Sequence, residues 1–475
     1  MKTEKQEVYE VIGVSENQSQ DEIFETILGN ISKVEFRNLA GELFRIDPEK
    51  KLEQKHYLVI AIDEVMDKAK ELGYHLAMNN GLVYVYNGQY WVAISESKLS
   101  AFLGVASQKM GVDMIESKFF RFRENLVNQF YSSAYFSKPE TSQDKVLINL
   151  LNGTFEITSD KQALRHFESQ DFLRYQLKFP YDINAKCPVF LKYLNQVLPD
   201  QDLQNILAEY IGYVFIKNLK LEKVLLLYGL GANGKSVFFE VVNAVLGKEN
   251  VSNFSLVSLG SESYRSHLEE KLLNYGSEIK GSLESDIFKQ LASGEPIGAK
   301  RLYKDPFIMR DYAKLMFNAN ELPKDVEHNE AFFRRFLIIP FLVTIADEDR
   351  DPELPKKIIA NELSGVFNWV LDGLERVLEN KGFSHSKASK DFLEKYKNES
   401  DTIALFLEDF GYQPCYDGNG TPLSELYSTF KQYCNTGGYY ANNLKNFRIR
   451  LENRKLQVVK KSIGLVVSTI KMPLF

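Results

Sequence analysis

The stretch Gly229-Leu230-Gly231-Ala232-Asn233-Gly234-Lys235-Ser236 constrains this chain more than any other part of it. It matches G-x-x-x-x-G-K-[ST] without a mismatch and stands in the context that pattern requires. Upstream, Val224 to Tyr228 is an apolar run of the length of a buried strand. Downstream, Val237 to Leu246 reads as a helix, and Gly247 is placed to end it. Glycines let consecutive backbone N–H groups turn inward around a phosphate, and a helix N-terminus adds partial positive charge. Lys235 is then placed for the β- and γ-phosphates and the Ser236 hydroxyl for Mg²⁺. Gly229, Gly231, Ala232, Asn233, Gly234 and Val237 complete a nucleotide site. The alternative is a glycine turn before a helix that merely resembles the motif, and it leaves the G-K-S ending without a reason.

A chain of 475 residues is too long for one ordinary domain and suggests about three. Apolar content of 44% with 13% aromatics can support sizeable cores. No apolar run reaches about 18 residues, so no membrane span is expected. The start, MKTEKQEVYEVIG, has no hydrophobic signal-peptide core. Cys187, Cys415 and Cys434 are few and scattered, which points away from a disulfide framework or a zinc site. The expectation is a reduced, soluble, intracellular protein. Net charge is −6, against a uniformly basic nucleic-acid coat. From Ala441 to Phe475, however, eight basic residues face one acidic residue, giving +7 over 35 positions. A basic patch on an acidic chain points to a dedicated binding module.

No internal repeat is visible. Residues 1–139 mix amphipathic helices with a hairpin, GLVYVYNGQYWVAI, in which Asn87-Gly88 suits a two-residue turn. Residues 140–220 are expected as a helical collar leading to the loop, 221–345 as the nucleotide domain, 346–405 as helical, and 406–475 as the basic module. Tyr57 to Val65 looks like a strand ending in Asp63 and Glu64. The spacing of Val59, Ile62, Val65 and Met66 predicts a core helix instead.

Four features follow the loop in order. KLLNYGSEIKG ends a short run at Glu278, where a second strand would bring a carboxylate to the magnesium and the attacking water. Taken alone, Glu278 could be a surface residue. SDIFKQLASGEPIGAKRLYKDPFI reads as a short helix carrying Lys289, then a hairpin with Lys300, Arg301 and Lys304 about its tip and Tyr303 among them. That mixture suits phosphate contact and base stacking on a single strand, and equally a solvated charged turn. AKLMFNANELP is a strand ending at Asn318 and Asn320, where an amide can sense a γ-phosphate. EAFFRRFLIIPF sets Arg334 and Arg335 before another apolar strand, either as strand-edge charges or as an arginine finger acting across a subunit boundary.

With these four features the chain resembles superfamily 3 helicases, the hexameric AAA+-like motors of small viruses, phages and plasmids. It is most similar to the phage/plasmid primase–helicase branch, and resembles the Rep replication initiators of staphylococcal pathogenicity islands. The likeness covers roughly residues 140–400 through LLNGTFEI, PYDINAKCP, AEYIGY, GLGANGKS, SEI, FKQLASGEPIGAKRLYKDPF, NANELP, RRFLIIPF and ELSGVFNWVLDGL, all in the family's order. It implies an α/β P-loop core, ATP and Mg²⁺ as cofactors, and a homo-hexamer on DNA in a bacterial cytoplasm, with host replication proteins as further partners. Carried over residue by residue, it implies Lys235 and Ser236 for nucleotide and magnesium, Glu278 as catalytic acid, and Asn320 as phosphate sensor. Arg335 is the favoured trans finger with Arg334 beside it, and Lys300, Arg301 and Lys304 grip translocating DNA. Lys289 resembles the family's lysine before the hairpin. Many members carry two adjacent acids where this chain has Ser277-Glu278, so magnesium would rest on Ser236, water and Glu278.

At the C-terminus, TPLSELYSTFKQYC predicts a helix capped by Thr421, with Pro422 first and Leu423, Leu426, Tyr427 and Phe430 inward. NNLKNFRIRLENR predicts a second, with Leu444, Phe447 and Leu451 inward and a basic outer face. Lys445, Arg448, Arg450 and Arg454 are the DNA-binding candidates there, with Asn446 and Asn453 as base readers. LQVVKKSIGLVVSTI gives two strands about Gly464. The order resembles a winged helix-turn-helix suited to origin DNA, or a small basic domain that contacts other subunits. Three functions are in view: an origin-binding helicase moving 3′ to 5′, an ATPase switch that assembles on DNA without unwinding, and primer synthesis. The last lacks an Asp-x-Asp pair on a strand or a zinc motif in the N-terminal region.

Overall fold

The computed structural model describes residues 18–45, 47, 50–136, 145–158, 161–276, 285–323, 329–415, 420–439, 441 and 443–472, with the backbone of 6–9. The chain divides into two units, Met1–Lys186 with Leu363–Asn368, and Cys187–Glu362 with Trp369–Phe475. Both are mixed α/β. Among the described residues no helix is long and apolar enough to cross a membrane.

In the first unit, helices Gln20–Asn30, Phe36–Phe44, Gln54–Glu71, Glu96–Met110 and Phe120–Ser133 close around Ile27, Ile62, Leu99, Leu126 and Phe130. The predicted helix through Tyr57–Val65 lies within Gln54–Glu71, burying Ile62 and Val65 and leaving Asp63 exposed. The expected hairpin is present and extends to three antiparallel strands, His75–Asn79, Leu82–Tyr86 and Trp91–Ile94. Its loop has four residues, not two. Tyr86 pairs with Trp91, and the Asn87 side-chain oxygen accepts from the N–H groups of Gln89 and Tyr90 at 3.0 and 2.8 Å. Asparagine here builds a side-chain turn in place of a left-handed Asn-Gly pair.

The segment expected as a helical collar from residue 140 opens instead as a sheet. Strands Val146–Leu150, Gly153–Ile157 and Lys161–Arg165 pair antiparallel, and Gln6–Tyr9 joins in parallel. The β-branched and aromatic residues of VLINL and GTFEI outweigh the helical reading. Among the described residues after 140, α-helices begin at Pro188–Val197 and Gln201–Tyr213, in the second unit.

The second unit is built on a five-stranded parallel sheet, in the order Phe336–Pro340, Val224–Tyr228, Lys314–Ala319, Leu273–Gly276 and Val251–Ser252. Val224 to Leu227 are fully buried, because a parallel sheet covered on both faces needs a continuous apolar run rather than alternation. Helix Gln201–Tyr213 crosses helix Leu363–Asn380 so closely that a Cβ on Gly373 would lie 2.2 Å from the Ala208 carbonyl carbon. At that crossing the buried Glu209 carboxylate accepts from Arg376 Nε at 3.0 Å and from the Ser384 N–H at 2.7 Å.

The C-terminal core gathers Phe406, Leu426, Phe430, Phe447 and Leu451. Helix Thr402–Asp409 belongs to it, so this module begins before the expected residue 406. Helices Leu423–Gly437 and Leu444–Asn453 follow, then paired strands Val458–Lys461 and Gly464–Val467. Thr421 is not the helix cap. Thr421 and Pro422 pair with Val467 and Val466 in a short strand, and the Thr421 hydroxyl donates to the Thr469 carbonyl. Leu444 is exposed rather than inward, since it is the first residue of its helix and lies outside the stripe of Phe447 and Leu451.

Candidate nucleotide site and the arginines at the opposite sheet edge

The loop from Gly229 to Ser236 joins the buried strand Val224–Tyr228 to helix Lys235–Leu246. Gly234 holds φ +85, and a Cβ there would come within 2.7 Å of Val197 and 3.0 Å of Tyr193. A Cβ on Gly229 would meet the Asn233 amide at 2.0 Å and the Phe341 carbonyl at 2.6 Å. The loop is therefore tight against its own scaffold at both ends. Its outer residues Leu230, Gly231, Ala232 and Ser236 are exposed. The Lys235 ammonium is buried and donates to the Gly229 carbonyl at 2.6 Å and the Asn233 side-chain oxygen at 3.1 Å. Burial lowers its pKa from the ordinary lysine value. An anion in the loop would relieve that penalty.

Residues the motif does not announce hold this loop. The Tyr193 hydroxyl donates to the Gly234 carbonyl at 2.8 Å. The segment after strand Phe336–Pro340 runs alongside: Phe341 N–H donates to the Tyr228 carbonyl at 2.7 Å, Asn233 Nδ2 to the Phe341 carbonyl at 3.2 Å, and Ile345 N–H to the Ala232 carbonyl at 2.8 Å. No pattern in VFLKYLNQV or FLVTI marks these roles, which arise from long-range packing.

Register brings Asn320 to the loop. Ala319 pairs with Tyr228, and the Gly229 N–H donates to the Ala319 carbonyl at 2.9 Å. Asn320 follows as an exposed bend. Asn318 is committed elsewhere, accepting from the buried Tyr275 hydroxyl at 3.0 Å. Glu278 lies outside the described residues, as does Ser277. Strand Leu273–Gly276, which leads to them, is the neighbour of the Asn320 strand. The phosphate cradle, the ammonium and the exposed Ser236 hydroxyl fit a nucleotide triphosphate with its metal. Among the described residues no three His, Cys, Asp or Glu groups gather to hold a cation without one.

The two arginines differ sharply. The sequence favours Arg335 as the group that reaches outward, but its side chain is 8% exposed. Its guanidinium donates to Ser293 Oγ at 3.0 Å and to the Ala331 carbonyl, and lies 3.5 Å from Glu222. Arg334 is 57% exposed and lies 3.1 Å from Glu222. Lys289 is 3.7 Å from Asp286 on its own helix.

Strands Ile297–Lys300 and Pro306–Met309 form the expected hairpin. At its tip Leu302 is 72% and Tyr303 94% exposed, with Lys300 and Lys304 exposed on either side. Arg301 is not at the tip's disposal. It forms an ion pair with Glu269, and its guanidinium lies over the Phe307 ring at 4.4 Å. In the C-terminal module, Lys445 is exposed on helix Leu444–Asn453. Arg448 pairs with Glu452 at 2.8 Å. Arg450 and Arg454 instead both reach the buried Asp401, at 2.8 and 2.7 Å, which also caps helix Thr402–Asp409. These two cations fasten the helix to its own core.

Residues 68–199 match the family described as D5 N terminal like, and residues 227–335 match a family of unknown function (DUF5906). The second match spans the loop, Asn320 and both arginines. Among curated proteins the chain is similar to Putative helicase L207/L206 of Acanthamoeba polyphaga mimivirus, 22% identical over 268 residues, covering 51% of this chain and 28% of the relative. It is also similar to Putative helicase 184R of Invertebrate iridescent virus 6, 23% identical over 339 residues, covering 60% and 34%. The chain spans about a third of the length of these relatives. Among solved structures, the apo C-terminal region of NrS-1 aligns with a TM-score of 0.48 at 14% identity, covering 86% of this chain and 98% of that one. The family and sequence matches support a relationship to viral helicase-type proteins.

Proposed function

We propose that this protein is an ATP-dependent DNA helicase and replication initiator of a mobile genetic element such as a phage, plasmid or staphylococcal pathogenicity island. It works as a homo-hexameric ring of AAA+-like cores. The observation that carries the reading is the convergence at one end of the parallel sheet. The glycine loop, Asn320 and the strand leading to Glu278 sit on adjacent strands, and Arg334 is exposed at the surface. The viral relatives named as helicases support it.

In this reading the loop amides and Lys235 bind the phosphates of ATP, and Ser236 and Glu278 would hold Mg²⁺, which would supply charge neutralisation at the transferring phosphate. Glu278 takes the proton of the attacking water, and Asn320 orients it. Arg334 stabilises the developing charge in the neighbouring subunit's site, and Arg335 supports it from within. Lys300, Tyr303 and Lys304 at the hairpin tip contact a single strand threaded 3′ to 5′, while Arg301 sets the hairpin's angle. The C-terminal module is a winged helix-turn-helix that binds origin duplex through Lys445 and Arg448.

Strand displacement on a forked substrate tests the reading. Wild-type protein should separate the strands only with hydrolysable ATP, and Lys235→Ala should bind duplex origin DNA yet neither hydrolyse nor unwind. ATP hydrolysis with no strand separation would instead identify an assembly switch.

A further inference from the structure

Two guanidinium groups converge on one oxygen at the sheet edge opposite the phosphate loop, where strands Val224–Tyr228 and Phe336–Pro340 begin. The Nη2 atoms of Arg334 and Arg335 lie 3.1 and 3.5 Å from Oε2 of Glu222. The Lys223 ammonium donates to the Arg334 carbonyl. A single carboxylate thus pairs with two guanidinium groups, and nothing in the phosphate-loop motif calls for it.

Its backbone is unusual too. Glu222 holds φ +53, a left-handed conformation that is costly for a residue with a Cβ. The surroundings impose it. Leu221 N–H donates to the Tyr213 hydroxyl at 3.0 Å, the Tyr210 hydroxyl donates to the Lys223 carbonyl at 3.2 Å, and Val224 N–H donates to the Arg335 carbonyl at 2.7 Å. Strain that persists under such restraint marks a place where the side chain's direction matters.

The two arginines do not depend on Glu222 equally. Arg335 is anchored independently by Ser293 and the Ala331 carbonyl. Arg334 is mostly exposed, and Glu222 is the side chain it pairs with. Such a half-exposed pair is weak in water, so a more strongly charged phosphate can take the guanidinium over. Arg335 then keeps the carboxylate compensated.

We propose that Glu222 is a positioning residue for Arg334, holding its guanidinium at the surface in the orientation from which it reaches a phosphate of the neighbouring copy. The inference rests on reading Arg334 as the arginine that acts in trans.

The test is steady-state ATP hydrolysis by the full chain at saturating protein, with thermal unfolding in parallel. Glu222→Gln should lower kcat about three- to fivefold while KM for ATP stays within about twofold, because only transition-state contact is lost. Glu222→Gly should share that loss yet melt no lower than wild type, since glycine accepts φ +53 without strain. Glu222→Gln combined with Arg334→Ala should be no slower than Arg334→Ala alone. Full-rate Glu222→Gly, or further loss in the double variant, would overturn the inference. If Arg334→Ala itself hydrolyses at the wild-type rate, the trans-arginine reading has failed and the inference goes with it. An inactive Arg334→Ala beside fully active Glu222 variants removes the Glu222 inference alone.

Discussion

The Tyr193 hydroxyl donates to the Gly234 carbonyl at 2.8 Å, so a helix outside the phosphate-loop motif fixes the glycine that opens helix Lys235–Leu246. Tyr193→Phe keeps the ring and deletes one hydrogen bond of roughly 1 kcal/mol. Several-fold weaker ATP binding is expected with an almost unchanged melting temperature, measured by titration calorimetry and thermal unfolding.

Gly231 and Gly234 both hold positive φ but differ in space. A Cβ at Gly231 meets open space, whereas at Gly234 it runs into Val197 and Tyr193. Gly231→Ala should cost about 1 kcal/mol of stability from backbone strain alone. Gly234→Ala should cost roughly 1–3 kcal/mol more through overpacking, with loss of nucleotide binding. Urea unfolding separates the two.

Lys314 opens the strand that ends beside Asn320, and its ammonium lies 4.3 Å from the Tyr213 ring centre. Burial, reinforced by Lys220 and only partly offset by Asp311, pushes its pKa down to about 8. Below that pH the folded and unfolded chains both carry the proton, and the folded state bears the cost of a buried charge. Between about 8 and 10.5 the unfolded chain holds more protons, so rising pH relieves that cost by at most about 3 kcal/mol. Lys314→Met should therefore be more stable than wild type at pH 7, with the advantage shrinking by pH 10. Paired urea titrations at the two pH values check it.

Lys445 and Arg450 share one helix and should behave oppositely. Arg450→Ala removes one charged hydrogen bond from the buried Asp401, which keeps Arg454 and its helix-capping N–H donors, so the C-terminal core should lose about 2 kcal/mol. Lys445→Ala should leave stability unchanged, weaken duplex binding, and reduce the salt slope of affinity by about one. Hydrogen exchange and salt-dependent anisotropy distinguish them.

What the sequence made legible is local. The loop, the strand before it, the helix after it, the charged hairpin and the helix–helix–hairpin C-terminus each rest on short-range pattern and turn chemistry, and all are present. Long-range partners were not legible. Arg334 and Arg335 are adjacent and identical in type, and long-range partners such as Ser293, 42 positions away, make one of them internal. Asp401 likewise lies 49 and 53 positions before the arginines it holds. Residues 140–220 divide for another reason: VLINL and GTFEI carry β-forming residues, and helix-forming composition takes over in DLQNILAEYIGY downstream.

The proposed mechanism makes hydrolysis depend on Lys235 from one copy and Arg334 from the next. Mixing inactive Lys235→Ala with inactive Arg334→Ala protein measures this most directly, because only a ring holding both variants contains an interface with an intact pair. A 1:1 mixture should recover up to about a quarter of the wild-type ATPase rate, the share of such interfaces under random assembly. A mixture no more active than its two components would contradict the account.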